Sequence, residues 1–347
     1  MRCGDFRETY AEDMALFETA FARRAMLAFL AAMVAVPWIA SAFWLDVGLR
    51  VLIAVIAATG LNILTGFTGQ ISLGNAAFLA VGAYSTAYLA GHWNLPFPLV
   101  IPAAGLITAL VGMVFGVPSL RLKGLYLAVA TLAAHFVIEF VASHWESVTG
   151  GVNGISIPSP RAGPLVLAND RQLYLLALPV AAGLLLFARN LFRTKVGKAF
   201  VAIRDQDISS EVMGVNVFRY KLLSFAVSSF YVGVAGSLLA YQARIISPEN
   251  FPISVAIDQL GMIIIGGLGS LLGSVFGAVF ITLLPELLRL VTGALATSFP
   301  ELTTLFASVK MGVFGLAIVL FLIFEPDGMA ARWHHIKNYW KLYPFSY

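Results

Sequence analysis

Long apolar segments recur along almost the whole chain. A helix that crosses a bilayer needs about 20 mainly apolar residues, and it satisfies its backbone hydrogen bonds internally. We predict ten such segments, at residues 26–45, 48–66, 70–90, 97–117, 122–142, 173–190, 219–242, 255–268, 271–289 and 305–324. The sequence therefore predicts an all-α polytopic integral membrane protein with about ten membrane segments.

Two of the ten segments differ from the others. The segment at 255–268 is short for a full crossing, and the one at 70–90 is rich in Gly, Ser and Asn, so we expect both to be broken or re-entrant. Only 12% of the residues are charged, about half the fraction of soluble proteins. Lipid is therefore the expected surrounding medium, and the small net charge of +4 indicates no nucleic-acid partner.

The distribution of Lys and Arg predicts the orientation, because cytoplasmic loops are enriched in both. Most of the 22 cations fall on one side of the ten-segment arrangement. We therefore expect cytoplasmic tails at residues 1–24 and 329–347 and a transmembrane domain at 25–328. This topology is typical of a multi-pass protein of the bacterial inner membrane.

Two hydrophilic connections are longer than a simple turn needs. The first, at about 143–172, is predicted to be external, and the second, at about 191–218, to be cytoplasmic. Within the second, residues 198–213 have apolar positions at helical spacing and precede Gly214, which is a typical helix stop. We predict one short amphipathic helix on the cytoplasmic surface, with these apolar positions: Phe200, Ile203, Ile208 and Met213.

Polar side chains lie inside two glycine-rich apolar stretches. Facing lipid they would be costly, so they must hydrogen-bond to neighbouring helices or line a wet path. The sequence supports both interpretations equally, although a carboxylate at position 258 could bind an ammonium group. The predicted substrate-path residues are Asn62, Gln70, Ser72, Asn75, Asp258 and Gln259.

Motifs for covalent chemistry are absent or degenerate in the sequence. Gly197-Lys198 lacks the upstream glycine and the following hydroxyl residue of a phosphate-binding loop. If ATP is used, another chain must bind it. His135 and Glu139 share one helix face near the expected external end, which favours a local pair over a metal site or proton relay. We predict no catalytic residues, no metal and no bound cofactor.

Several separate motifs occur in the order found in one family. They are Gly66–Phe78 with Gly82-Ala83-Tyr84, Arg121–Leu132, Thr149–Ile155, Arg204–Gly214, Arg219–Lys221, Gly233–Gly236, Pro248, Gly266–Gly269 and Phe324–Gly328. Over residues 25–330 the sequence resembles the LivM-type permeases of branched-chain amino-acid ABC importers. The resemblance implies a translocation path shared with a second, LivH-like permease, driven by two cytoplasmic ABC ATPases and supplied by an external substrate-binding protein.

The resemblance also gives the short cytoplasmic helix a role, that of a coupling helix docked on an ATPase. The residues that would carry this role are Ala202, Arg204, Asp205, Asp207, Ser209, Ser210, Glu211 and Gly214. Asn75 stands where relatives often have histidine, which leaves urea, amides or aromatic acids as alternative substrates. An ion-coupled secondary transporter and an integral-membrane enzyme are competing hypotheses. For the secondary transporter, Asp258 is the one candidate ion-coupling group. For the enzyme, the pair of His135 and Glu139 is too small a cluster to form a catalytic site.

Overall fold

The computed structural model describes residues 20–119, 122, 124–295 and 306–342. Most of the predicted N-terminal tail, Arg121, Lys123 and the end of the C-terminal tail lie outside the described residues. The helices are α1 (Ala20–Ile39), α2 (Ala42–Thr68), α3 (Asn75–Gly91), α4 (Phe97–Ser119), α5 (Leu125–His144), α6 (Glu146–Thr149), α7 (Asp170–Arg193), α8 (Lys195–Asp205), α9 (Asp207–Val212), α10 (Val217–Ala243), α11 (Ile253–Gly266), α12 (Leu271–Leu295), α13 (Phe306–Phe324) and α14 (Gly328–Leu342).

Short strands and 3-10 turns complete the described chain. Two-residue strands β1 (Ile155–Ser156), β2 (Arg161–Ala162) and β3 (Leu165–Val166) lie between α6 and α7, and β4 (Ile245–Ile246) follows α10. The 3-10 turns are Gly151–Asn153 and Pro248–Asn250. β1 pairs antiparallel with β4, and β2 pairs antiparallel with β3. The connection between α5 and α7 is thereby attached to the end of α10.

The all-α membrane class is confirmed, but about ten crossings is too high a number. Within the described residues, six helices are long and apolar enough to cross a membrane, or seven if the bent α13–α14 pair is one span. α3 has 17 residues and α11 has 14, and both fall short of the usual 20. Their segments are apolar enough to be predicted as spans, but glycine-containing breaks at their ends shorten the helices.

The break before α3 follows from local backbone geometry. α2 ends at Gly69, whose φ of +74° suits glycine and few other residues. The Gln70 amide donates to the Leu64 carbonyl, and the chain stays non-helical until α3 begins at Asn75. The prediction of a broken element at 70–90 is therefore confirmed.

The core is built around α2 and α10, which carry long runs of buried residues. α10 packs against α2, α3 and α4. Small residues allow this contact: a methyl group on Gly236 would overlap the Leu79 carbonyl oxygen, and one on Gly82 would overlap the Gly233 carbonyl. Close backbone approach of this kind is typical of helix packing in membranes.

α11 and α12 form a hairpin through the turn at 267–270. A methyl group on Gly266 would overlap the Gly273 carbonyl oxygen, and one on Gly277 would overlap the Met262 carbonyl oxygen. The two helices therefore touch backbone to backbone. The sequence allowed two interpretations of these glycines, tight helix packing or a broken helix. The structure shows tight packing between α11 and α12.

Candidate functional site

Asn62 on α2 is the centre of a partly buried hydrogen-bond network. Its Nδ2 donates to the Ser270 carbonyl and to Ser274 Oγ, each at 2.8 Å, and its Oδ1 accepts from the Gly269 amide at 2.9 Å. Asn62 is 0% exposed. One side chain thus joins α2 to the α11–α12 hairpin.

Gln70 lies in the break between α2 and α3, where it contacts α10. It is buried, and its Nε2 donates to Ser224 Oγ at 2.7 Å. Ser224 in turn donates to the carbonyl of Lys221. Ser72 is also buried, and its Oγ accepts from the Gly74 amide at 3.4 Å. These bonds fix the break to the start of α10.

Asn75 and Gln259, distant in sequence, meet in the structure. Both are buried, and Asn75 Nδ2 donates to Gln259 Oε1, which joins the start of α3 to α11. Asp258, the next residue to Gln259, is only partly buried. The six predicted path residues therefore lie in three separate places, and the hydrogen bonds described above are made by Asn62, Gln70, Ser72, Asn75 and Gln259. Whether any of them lines a substrate path stays a prediction.

The hydrogen-bond partners of these residues were missed by sequence reasoning. Ser270 and Ser274 pair with Asn62 across more than 200 residues. Thr131 Oγ1 accepts from the Leu73 amide, which joins α5 to the break. Ser274 contributes its hydroxyl but Ser270 only its backbone carbonyl, so the sequence could have signalled at most the Ser274 side chain.

α8 is attached firmly to the membrane body. Phe200 and Ile203 are buried. Arg204 Nη1 donates to the Gly66 carbonyl of α2 at 3.0 Å, and its guanidinium leaves little room for any side chain at Gly269. Since Asn62 binds the Gly269 amide, the predicted path and coupling residues meet at this point.

α9 differs from α8, and the prediction of one continuous helix at 198–213 is wrong. Gln206 has extended backbone angles (φ −158°, ψ 104°) that end α8 and redirect the chain. As a result Ile208, Val212 and Met213 are 69%, 82% and 83% exposed, whereas the predicted amphipathic helix buried its apolar face. We call these three residues the α9 patch.

The other predicted coupling residues surround the α9 patch. Asp207 Oδ2 lies 3.5 Å from Lys221 Nζ, so α9 is ion-paired to α10. Ser210 is buried and donates to the Gln206 carbonyl. The remaining members are partly or fully exposed, and they are Ala202, Asp205, Ser209, Glu211 and Gly214. Their role in coupling stays a prediction.

His135 lies nearer the middle of its helix than expected, whereas Glu139 lies towards one end. The sequence placed them near one end of their segment, but α5 extends from Leu125 to His144, which makes His135 its eleventh residue of 20. His135 is 1% exposed, and its Nε2 lies 3.7 Å from Glu139 Oε2. Within the described residues, no three His, Cys, Asp or Glu side chains are grouped to bind a metal ion.

Comparison with known proteins decides the family. Residues 43–322 match the family described as the branched-chain amino acid transport system permease component. The chain belongs to this family. It is 31% identical to the LivM permease of the high-affinity branched-chain amino acid transport system of Escherichia coli, and 30% identical to that of Salmonella typhimurium. Each alignment covers 88% of this chain and 74% of the relative.

A more distant relative extends the match to archaea. A probable LivM permease of Methanocaldococcus jannaschii is 24% identical, over 67% of each chain. No solved structure matches the chain significantly. This permease is thus a multi-pass membrane transport protein, as the sequence resemblance implied.

Proposed function

We propose that this permease is one of two membrane subunits of an ATP-driven importer for branched-chain or related amino acids. A second, LivH-like permease completes the translocation path, and an external binding protein delivers the substrate. Two ATPase subunits bind and hydrolyse ATP. This chain binds no cofactor, performs no covalent chemistry, and lies in the bacterial inner membrane with both termini in the cytoplasm.

The observation that carries the proposal is the difference between α8 and α9. Three exposed apolar side chains on one short helix are costly in water and mark a protein contact. Beside them, α8 is held to α2 by the Arg204 to Gly66 hydrogen bond. If another subunit binds the α9 patch, its movement would therefore be transmitted through α8 to α2.

A pair of matched substitutions tests the contact. Val212→Ser and Val152→Ser both remove an exposed valine, 82% exposed at the end of α9 and 68% exposed in the 3-10 turn Gly151–Asn153. We expect Val212→Ser to weaken co-purification of the ATPases about tenfold, because a buried apolar contact is lost. The Val152→Ser variant should co-purify with the ATPases to the same extent as the wild-type chain. Equal recovery of ATPases with both variants would contradict the docking role of α9.

The energy source is tested by reconstitution. The complete transporter in proteoliposomes should take up a branched-chain amino acid only with ATP inside and loaded binding protein outside. Uptake driven by a sodium or proton gradient without nucleotide would instead support an ion-coupled secondary transporter.

The orientation is tested by labelling single cysteines, since Cys3 is the chain's one cysteine. In a Cys3→Ser background, Lys198→Cys should react with a membrane-impermeant thiol reagent only in inverted vesicles. Reaction in intact cells would place α8 outside and would refute coupling through it.

A further inference from the structure

A small cavity lies between α3, α5 and the turn that begins at Pro248. It has a volume of about 10 Å³, which is room for one water-sized group. Tyr84 of α3 and His135 and Glu139 of α5 line it together with apolar side chains such as Ile138 and Phe251. None of the hydrogen-bond networks described above includes these polar residues.

Two of the polar residues are buried without satisfied hydrogen bonds. Neither ring nitrogen of His135 has a hydrogen-bond partner among the described residues, and the same holds for the Tyr84 hydroxyl. His135 is 1% exposed and Tyr84 is 6% exposed. Buried polar groups are nearly always paired, so three unpaired atoms at one small cavity indicate a missing ligand or water.

The charge of the lining indicates which ligand fits. Glu139 is acidic, and no Lys or Arg is among the described residues that line the cavity. A tyrosine hydroxyl and a neutral imidazole can each accept a hydrogen bond. A water-sized cation with several N–H donors matches these acceptors, whereas an anion would meet the Glu139 carboxylate. An ammonium group has this size and this charge.

The depth and opening of the cavity agree with a transport role. His135 is the eleventh of 20 residues in α5, about 15 Å from either end at 1.5 Å per residue. Ionisable groups at this depth are costly and typically functional. Glu139 has 46% of its side chain exposed, so the carboxylate connects the cavity to the surface of α5.

We propose that Tyr84, His135 and Glu139 form a site for the ammonium group of the amino acid in transit. This inference rests on the proposed function for its substrate. In this site the Glu139 carboxylate exchanges its contact with His135 for one with the incoming ammonium.

The transport test uses the complete transporter in proteoliposomes and measures amino acid taken up per ATP hydrolysed. We expect Glu139→Gln to lower this ratio about tenfold, because a charge-assisted hydrogen bond is lost. Tyr84→Phe should lower it less, since the acceptor that is removed is neutral and not a carboxylate. The matched control is Glu146→Gln, an exposed glutamate of α6, which should leave the ratio unchanged. Ratios within twofold of wild type for both cavity variants would mean that the cavity holds only water.

A binding test separates this inference from the proposed function. Methylammonium, added to the full chain in nanodiscs, should shift the nitrogen-15 ring signals of His135 and leave those of His144 in place. The shift should be lost in Glu139→Gln. If methylammonium causes no shift at His135 in the wild-type chain, the proposed site is wrong. If the shift occurs but the complete transporter does not import amino acids, the site is supported and the proposed function is refuted.

Discussion

Two polar regions lie inside the same apolar body, and they differ in how completely their hydrogen bonds are made. Both polar atoms of the Asn62 side chain, Nδ2 and Oδ1, have hydrogen-bond partners on the α11–α12 hairpin. Around the cavity, Tyr84 and His135 have none within the described residues. Both regions have the same composition signal in the sequence, namely polar residues among apolar ones.

The difference separates two uses of polar residues in a membrane. A satisfied network stabilises one arrangement of helices, and its loss leaves buried donors and acceptors unpaired. An unsatisfied cluster contributes little to the fold, because it has no bonds to lose. We therefore expect substitutions in the first region to affect stability and those in the second to affect transport, which the following four predictions test.

The largest effect is expected from Gly66→Ala. The new methyl group would overlap Asn62 Oδ1 and crowd the Gly269 amide, so the whole network must shift. We expect a loss of about 3–5 kcal/mol, from overpacking and broken hydrogen bonds together, measured as thermal stability in mild detergent. Gly183→Ala is the control: no atom lies within 4 Å of its methyl position, and its stability should be unchanged or slightly higher.

Asn62→Leu should have the next largest effect. It removes three hydrogen bonds and leaves the Gly269 amide and the Ser270 carbonyl without this partner. We expect about 2–4 kcal/mol of destabilisation in the same assay. A loss below about 1 kcal/mol would mean that the network does not hold the hairpin to α2.

Asn75→Leu should cost less, about 1–2 kcal/mol, because only its bond to Gln259 is lost. A double-mutant cycle with Gln259→Leu measures the coupling directly. The double variant should cost clearly less than the two single losses added together. Additive losses would show that the two amides do not stabilise each other.

The smallest effect is expected from Tyr84→Phe. The hydroxyl has no partner in the described part of the chain, so stability should change by less than about 0.5 kcal/mol. A loss as large as that of Asn75→Leu would remove the contrast between the two regions.

Much of the fold was predictable because hydropathy reports directly on helices in lipid. Each of the ten predicted segments overlaps a helix, although the first, 26–45, crosses the break between α1 and α2. The segments of α3 and α11 were suspected of being broken from polar and glycine content and from short length, respectively. The number of full crossings was overestimated because the count of ten included the segments at 70–90 and 255–268, already suspected of being broken or re-entrant, whose helices have 17 and 14 residues.

Pairings and depth were the harder part of the candidate site. Asn62 was singled out from sequence, but its partners lie on the α11–α12 hairpin, and only tertiary packing brings them together. His135 was placed too near one end because the segment was drawn about three residues too early. The exposed α9 patch was missed because one residue with extended backbone angles, Gln206, interrupts a segment whose sequence pattern is otherwise helical.

The glycine contacts between α11 and α12 limit how the protein can move. Two helices in backbone contact cannot slide or rotate against each other without opening a void, and interiors resist this strongly. The hairpin should therefore behave as one rigid body during a transport cycle. Any hinge must therefore lie at the borders of the hairpin. The Asn62 side chain bridges one of these borders, so its hydrogen bonds would be the first to change if the hairpin moved relative to α2.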